Sequence, residues 1–495
     1  MTDWQGGPTL VTCSWLPQLV RDHLHDDASS AMTFGPDRRG PVWSTAWFDR
    51  WSRNRLRRAS VGAERQSVEA QLTSLADGAD VVITGQQPGF LGGPLYTLLK
   101  AATCLSLAGL RSAAGRPTVA LFWCGDDDDD VSEALDVDIW DPRRRTFLRP
   151  AADPRWQGYR LGALPASVYG RAELAWLSQY SRIPSAQSLA GLWSDALAGS
   201  WTWGRLHARA LEVMFAGQGL LTVSGDDPDL MEVGRPILTR MIEQAPALAQ
   251  AVRKRGVKLV TEGHHAQIGE RSLERPFHEV DGDRRLGLET AELAGRADLR
   301  GIRCGVMLRS PLQDWLFQPA GVVVGPGERS YLEQLLPVYE TLGIARSPMV
   351  PRLHLSFTPE DHPAELGPTA ADLDQAATRV IKAATGALTD ELNRIDPALA
   401  HGRAERAAQK WRTTVHRALA EGPWSQPGDR SGSVWRNPPS GRAERALPSC
   451  WGAALLPDPT KTLLAMSSDH LRRWSEGEAR EYLWLLNDGF LEGLG

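Results

Sequence analysis

A glycine-rich segment between Ile83 and Lys100 is the part of this sequence best suited to bind an anion. Glycine lets backbone N–H groups approach a ligand, and Pro94 suits the first turn of a helix whose positive end would face the segment. The segment matches neither a P-loop nor a G-x-G-x-x-G fingerprint, so a tight structural turn is the alternative. The candidate binding residues are Thr84, Gly85, Gln86, Gln87, Gly92, Gly93, Tyr96 and Lys100.

Five consecutive aspartates, Asp126 to Asp130, form an acidic block after an apolar run. Adjacent carboxylates repel one another, which raises the pKa of some of them unless a cation or a basic group neutralises the charge. A Mg²⁺ ion held together with substrate phosphates would do so, and a solvated acidic loop is the alternative. The candidate catalytic residues are Asp127, Asp128 and Asp130.

A second turn that contains glycine, Gly325-Pro326-Gly327-Glu328, opens another predicted helix. The same reasoning predicts a weaker anion site there, with helix capping and internal ion pairing as the alternatives. The candidate binding residues of this region are Arg309, Gln313, Asp314, Gly325, Gly327, Glu328 and Tyr331.

The histidines and cysteines of the sequence do not indicate a metal site or a hydrolase triad. His264 and His265 are adjacent, so on a strand they would point to opposite faces, and with His278 they fit no zinc spacing. The sequence contains no G-x-S-x-G motif and no cysteine in a nucleophile context, so a hydrolase triad is unsupported.

Four short apolar runs predict buried parallel strands, and the candidate residues lie at their ends. The runs are 80–84, 118–123, 219–223 and 321–324. Helical stretches follow the first and the last run, at Leu95–Leu110 and Arg329–Leu342. Strand, turn and helix in this order predict a doubly wound α/β sheet, and such sheets bind ligands beyond the carboxyl ends of their strands.

The length of 495 residues predicts several domains. We expect a sheet core at 1–140, 206–235 and 306–360, with inserted subdomains at 141–205 and 236–305 and a helical region at 361–495. The second insert contains a predicted hairpin around Asp281-Gly282-Asp283. The helical region contains predicted helices at Ala370–Arg394, Pro397–Glu421 and Ser467–Gly495, and a mobile loop at 422–449.

Composition restricts the partners and the compartment. The 55 Lys and Arg residues against 60 Asp and Glu residues leave a net charge of −5, so we expect no nucleic-acid partner. The five cysteines show no C-x-x-C spacing, which is typical of a reducing cytoplasm. No segment is typical of a signal peptide or a membrane span, so we expect a cytoplasmic protein without membrane contact.

Together the motifs resemble the bacillithiol biosynthesis cysteine-adding enzyme family. The order and rough spacing of the motifs hold from about residue 75 to 360. The resemblance rests on Thr84 to Gly89, Gly93 to Thr97, Lys100, Phe122-Trp123 with the acidic block, Gly219 to Leu221 with Asp226 and Asp229, Arg309 with Gln313-Asp314, Gly325 to Glu328 with Tyr331, and Pro351 to Leu353.

This resemblance implies a Rossmann-like core with two inserted connecting subdomains and a C-terminal helical, coiled-coil region that forms a homodimer. It also implies a cysteine ligase that joins cysteine to the amine of glucosaminyl-malate in the last step of bacillithiol synthesis, with ATP and Mg²⁺. Positioning of the two reactants and neutralisation of phosphate charge would supply most of the catalysis.

The sequence departs from the family pattern in two places. The family shows Glu-Asp-His-Asp after the Phe-Trp strand, and here Asp129 stands at the position of the histidine. The C-terminal helices are also short and interrupted. Two alternatives follow, namely a ligase for another amino acid and amine, and a non-catalytic member that binds a nucleotide or a sugar-malate ligand.

Overall fold

The computed structural model is built around a parallel five-stranded sheet. The residues described are 9–12, 18–23, 26–28, 31, 43–137, 139–141, 146–148, 150–179, 184–293, 296, 298–359, 394, 459–478 and 480–486. The strands are β1 (Thr9–Thr12), β2 (Asp80–Gln86), β3 (Thr118–Cys124), β4 (Ile139–Asp141), β5 (Thr146–Leu148), β6 (Leu221–Ser224), β7 (Phe277–Asp281), β8 (Arg284–Leu288), β9 (Ile302–Cys304), β10 (Gly321–Val324), β11 (Met349–Pro351), β12 (Leu355–Pro359) and β13 (Arg480–Leu486).

The helices that the structure describes cover both faces of this sheet. They are α1 (Gln18–His23), α2 (Thr45–Arg58), α3 (Ala63–Ala76), α4 (Tyr96–Ala113), α5 (Val131–Ala134), α6 (Ser167–Gln179), α7 (Pro184–Ala198), α8 (Trp203–Met214), α9 (Pro228–Val233), α10 (Arg235–Thr261), α11 (Glu270–Glu274), α12 (Thr290–Leu293), α13 (Val306–Phe317), α14 (Pro326–Gln334), α15 (Leu336–Leu342) and α16 (Pro459–Ser475), with 3₁₀ turns at Phe90–Gly92 and Pro154–Trp156.

The sheet order is β11-β10-β2-β3-β6, and each neighbouring pair is parallel. All four predicted strands are present, and the doubly wound α/β fold is confirmed. The chain starts at β2 in the middle, adds β3 and β6 on one side, and then adds β10 and β11 on the other. The strand order therefore reverses between β2 and β10, where a crevice opens at the carboxyl ends of the strands.

Alternation along the strands explains why the sheet is buried on both faces. Val82 and Phe122 pack into the hydrophobic cluster that contains α4, whereas Ile83 and Leu121 pack into the cluster on the opposite face. Successive side chains of a strand point to opposite faces, so a continuous apolar run supplies two cores at once.

The predicted helix at Leu95–Leu110 is confirmed as α4, but the one predicted at Arg329–Leu342 is divided. Helices α14 and α15 meet at Leu335, and a proline occupies the first turn of α15. Proline has no N–H to donate and clashes with the preceding turn, so Pro337 starts a new helix instead of continuing the first.

The predicted hairpin is confirmed, because β7 and β8 pair antiparallel across a two-residue turn at Gly282-Asp283. Gly282 has φ of 56°, a left-handed conformation that such tight turns require. Strand β9 pairs with the other edge of β7. The Arg285 N–H of β8 donates to the Gly158 carbonyl, and the Arg160 N–H donates to the carbonyl of Asp283 in the turn. The hairpin therefore packs against the segment around Arg160, beside the acidic block.

The prediction of helix from Ser467 to the C-terminus is wrong for the residues described between Glu476 and Leu486, and the residues after Leu486 lie outside the described part. Helix α16 ends at Ser475, Gly477 adopts φ of 90°, and β13 follows. Strand β13 pairs antiparallel with β1 and parallel with β12, because Tyr482 to Leu486 are aromatic and aliphatic residues that suit a strand. The predicted loop 422–449 and helix Pro397–Glu421 lie outside the described residues, as does helix Ala370–Arg394 except for its last residue.

None of the helices described is long and apolar enough to span a membrane.

Candidate active site

A cleft of about 440 Å³ opens in the crevice between the carboxyl ends of β2 and β10. It brings together most of the candidate residues from three separate parts of the chain. Those that line it are Gly85, Gln86, Gln87, Tyr96, Lys100, Asp128, Arg309, Gln313, Asp314, Gly325, Gly327, Glu328 and Tyr331.

Lys100 joins the two sides of this cleft. Its Nζ donates to the Gly85 carbonyl at 2.8 Å and to Gln86 Oε1 at 3.2 Å, and it lies 2.7 Å from Glu328 Oε2. The side chain is 6% exposed, whereas that of Glu328 is 23% exposed. Since Gly85 and Gln86 are the last residues of β2 and Glu328 follows β10, one buried ammonium joins the two sides of the crevice.

The turn after β10 presents the N-terminus of α14 to the cleft. The Gly325 N–H donates to Glu328 Oε2 at 3.3 Å, so the same carboxylate caps the helix and pairs with Lys100. No atom lies within 4 Å of the position that a Cβ of Gly327 would occupy. The turn therefore leaves open space beside the positive end of a helix, as an anion site requires.

Arginine side chains add positive charge to the cleft. Arg309 on α13 lies 3.8 Å from Asp128 Oδ2 and is 30% exposed. Burial opposes its charge, but Tyr331, Asp127, Asp128 and Glu328 together raise the pKa of its guanidinium. Arg352 lies over the Tyr96 ring at 5.4 Å. Guanidinium groups in such a position suit planar recognition of phosphate or carboxylate.

Arginine side chains lie beside the acidic block and offset part of its negative charge. Asp128 Oδ1 accepts the N–H groups of Asp129 and Asp130 at 2.8 and 3.1 Å, and Arg285 Nη1 lies 3.5 Å from the same oxygen. Arg285 also lies 3.3 Å from Asp129. Among the residues described, no group of three or more His, Cys, Asp or Glu side chains could hold a metal ion.

Five candidates lie outside the lining of the cleft. Thr84 donates its hydroxyl to the Val323 carbonyl at 2.8 Å and joins β2 to β10. Asp130 caps α5 by accepting the Glu133 N–H at 2.8 Å. Gly92 and Gly93 adopt φ of 87° and 81°, which gives them a conformational role.

Asp127, the fifth of these candidates, is buried behind the cleft wall. Its Oδ2 lies 3.7 Å from Nε2 of His278 on β7, and burial raises the pKa of Asp127 against the effect of Arg309 and Arg285. Burial and nearby arginines hold the pKa of His278 well below its usual value. A direct contact of Asp127 with a ligand in the cleft is therefore not supported by its position.

The sequence reasoning missed several residues that line the cleft: Trp123, Glu133, Ser310, Arg346 and Arg352. Arg352 stood in the Pro351 to Leu353 motif without an assigned role. Burial, followed by the charge of Asp128, raises the pKa of Glu133. Glu133 lies only a few residues after the acidic block, but no spacing rule distinguishes it from a solvated helix residue.

A second cavity, of about 320 Å³, lies on the other side of the acidic block, beside β6. Asp126 lines it and accepts hydrogen bonds from the Ser224 hydroxyl at 2.6 Å and the Asp226 N–H at 3.0 Å. Burial raises the pKa of Asp126 to about 7. The acidic block thus separates two cavities, with Asp128 in the cleft and Asp126 in the second cavity.

Replacement of Asp126 by asparagine is expected to change how stability depends on pH. Because the pKa of Asp126 is raised on folding, its contribution is fully present at low pH and is lost as pH rises through about 7. Between about pH 5 and 6.5, the free energy of unfolding of the wild type should fall more steeply than that of Asp126→Asn, by up to about 1.4 kcal/mol per pH unit. Urea unfolding at several pH values measures this, and parallel curves would refute it.

The parallel sheet, its strand order and the cleft at the point of reversal define an α/β protein of the Rossmann-like class with a ligand site at the switch point. Residues 54–295 match the family model described as "Bacillithiol biosynthesis BshC, N-terminal Rossmann-like domain". The resemblance to the bacillithiol biosynthesis family is thereby confirmed.

Individual relatives agree with this match. Proteins named "Putative cysteine ligase BshC" are 27% identical over 307 residues in Shouchella clausii and 26% identical over 410 residues in Koribacter versatilis. The first match covers 57% of this chain and 56% of the relative, and the second covers 72% and 74%. A Salinibacter ruber relative of the same name is 29% identical over 302 residues, covering 56% and 54%. The chain thus matches little more than half the length of some of these relatives.

Proposed function

We propose that this chain is an ATP-dependent ligase that forms an amide bond between cysteine and the amine of glucosaminyl-malate, the last step of bacillithiol biosynthesis. The observation that carries the proposal is the switch-point cleft, in which two turns that contain glycine face Lys100 and Arg309. The shared name of the relatives supports cysteine as the acid, and the family resemblance supports the sugar amine.

The cleft suits activation of a carboxylate by ATP. Arg309, Lys100 and the N-terminus of α14 border one space, and the last two share the Glu328 carboxylate. In a cleft partly shielded from water, fixed charges stabilise phosphates, and the charge that develops on them, more strongly than water does. The carboxylate of cysteine is then most simply activated as an adenylate, with release of pyrophosphate. The sugar amine attacks the carbonyl of the adenylate, and the amide bond forms as the bond to AMP breaks and the amine loses a proton.

Asp128 is proposed to orient the attacking amine. Two backbone N–H groups donate to Asp128, two arginines lie within 4 Å of it, and it lines the cleft next to Arg309. A fixed carboxylate attracts the sugar ammonium into the cleft, where the amine lies close to the activated carbonyl once it has lost a proton to solvent. Such positioning supplies a large part of the rate. Asp127 and Asp130 are proposed to help position Asp128, Asp127 as a buried neighbour and Asp130 as the N-cap of α5.

Mg²⁺ is proposed to enter with the phosphates of ATP. The described carboxylates form no cage for it, and arginines already offset part of the charge of the acidic block. Mg²⁺ usually keeps several waters and binds largely through substrate phosphates, so no such cage is needed.

The protein is further proposed to act in the cytoplasm on small molecules, without a nucleic-acid partner. Its net charge of −5 and the free, buried thiols of Cys104, Cys124 and Cys304 support this. A homodimer through the C-terminal region is a proposal about residues that lie largely outside the described part, and sedimentation velocity of the full chain tests it.

Nucleotide turnover separates this proposal from its alternatives. Purified protein is incubated with ATP and Mg²⁺, with cysteine alone, with glucosaminyl-malate alone or with both, and the nucleotides are separated by chromatography. We expect rapid ATP consumption only when both substrates are present. Unchanged ATP together with thermal stabilisation by ATP would support a non-catalytic binder, because binding stabilises without turnover.

Asp129 favours a second candidate function, a ligase for another amino acid and another amine, and the same assay tests it. Where the family has a histidine, Asp129 forms an ion pair with Arg285, which changes the charge at the edge of the cleft. If ATP is consumed only with another amino acid and another amine, the chain is a related ligase with altered substrates.

A further inference from the structure

The loop between β2 and α4 is held in an unusual conformation by a side chain outside the cleft. Leu91, within the 3₁₀ turn of this loop, adopts φ of 51° and ψ of 36° and is 1% exposed. A leucine in this left-handed conformation is strained, so surrounding contacts must maintain it.

Glu173 of helix α6 supplies such a contact. Its Oε1 accepts the Leu91 N–H at 3.0 Å, and the side chain is completely buried. Burial raises the pKa of Glu173 to about 7. A buried carboxyl group is costly unless it is hydrogen-bonded, so its position beneath the strained turn calls for a specific role.

A second side chain holds the same loop from the same side. The Gly89 N–H donates to Nδ1 of His207 on α8 at 3.5 Å, and burial lowers the pKa of His207 to about 4, which leaves its ring neutral and able to accept. A Cβ on Gly89 would lie 2.5 Å from the Gly93 Cα, so the loop crosses itself closely. The turn is therefore tightly constrained on the side away from the cleft.

We propose that Glu173 is a positioning residue that holds the turn at Leu91 and thereby fixes the wall of the cleft formed by Gln86 and Gln87. The two glutamines line the cleft, and only Pro88 and Gly89 separate them from the turn. Gln86 also accepts from Lys100 and donates to Gln87 at 2.8 Å, so a shift of the turn would disturb contacts inside the cleft. The first insert thus contributes to the site without touching a ligand.

Hydrogen exchange and kinetics on three variants test this role. Glu173→Met removes the acceptor without leaving a large cavity, and Glu173→Gln keeps an acceptor oxygen. Leu177→Ala weakens the core under the same helix but keeps the hydrogen bond between Glu173 and the Leu91 N–H. Exchange is followed by mass spectrometry on a peptide that covers 87–95.

We expect Glu173→Met to raise amide exchange in this peptide by about tenfold or more and to lower kcat/KM for ATP by about tenfold, as loss of one hydrogen bond to a charged or buried acceptor implies. Glu173→Gln should retain most of both properties. Leu177→Ala should lower the thermal midpoint with unchanged exchange in the loop.

Equal exchange in Glu173→Met and Leu177→Ala would overturn the proposal and leave Glu173 with a packing role only. The kinetic part rests on the proposed function, but the exchange part does not. If the wild type turns over no ATP while Glu173→Met still exposes the loop, the proposed function fails and the positioning role stands.

Discussion

Replacement of Lys100 by methionine is expected to lower kcat/KM for ligation by at least about 100-fold, the range found when one fixed charge is removed from a transition state. Methionine keeps much of the stem but lacks the ammonium that contacts Gly85, Gln86 and Glu328. The free energy of unfolding should fall by roughly 3 kcal/mol. This is the lower end of the range for breaking a buried ion pair, because Glu328 keeps contact with solvent. Steady-state kinetics and urea unfolding measure the two effects.

A matched double variant separates stability from chemistry at this position. Adding Glu328→Gln to Lys100→Met removes the carboxylate that the single variant leaves unpaired, so part of the stability should return. The activity should not return, because the positive charge in the cleft is still missing. If the double variant recovered both, Lys100 would be a structural residue, and its place in the site would be wrong.

Replacement of Arg309 by glutamine is expected to lower kcat by about 100- to 1000-fold with little loss of stability. Arg309 is partly exposed in the cleft, faces Asp128, and carries a charge that its acidic neighbours stabilise. Arg309→Lys keeps the charge but loses the planar fork, so its activity should lie between those of the wild type and the glutamine variant.

The control for Arg309 is an arginine that carries the same charge far from the cleft. Arg253 lies on the surface, 2.6 Å from Glu270, and Arg253→Gln should leave the kinetics unchanged. If the two glutamine variants had equal kinetics, any loss of activity would come from the change in net charge alone. Arg309 would then have no specific role in the active site.

The central strands could be predicted from the sequence, because strands buried on two faces leave continuous apolar runs such as Val322 to Val324. The fifth strand, Met349–Pro351, was missed because three residues that end in proline give no periodic signal. Strand β13 was missed because its apolar residues follow directly on a helical segment, and its partners β1 and β12 lie far away in the sequence.

Some residues of the candidate site could likewise be predicted from the sequence, and others could not. Gln86, Lys100 and Glu328 could be found because glycine-containing turns at strand ends have a local sequence signal. Arg346 and Glu173 could not, since their places depend on tertiary packing that brings distant segments together. The partial neutralisation of the acidic block by Arg285 was likewise invisible, because that arginine comes from a hairpin more than a hundred residues away.

The most direct test of the central claim is identification of the ligated product. Wild-type protein and the Arg309→Gln and Arg253→Gln variants are incubated with ATP, Mg²⁺, cysteine and glucosaminyl-malate, thiols are trapped with a fluorescent label, and products are identified by mass spectrometry. We predict ATP-dependent formation of bacillithiol by the wild type and by Arg253→Gln, and its near loss in Arg309→Gln. No product from folded wild-type protein, while a histidine-containing relative works in the same mixture, would contradict the account.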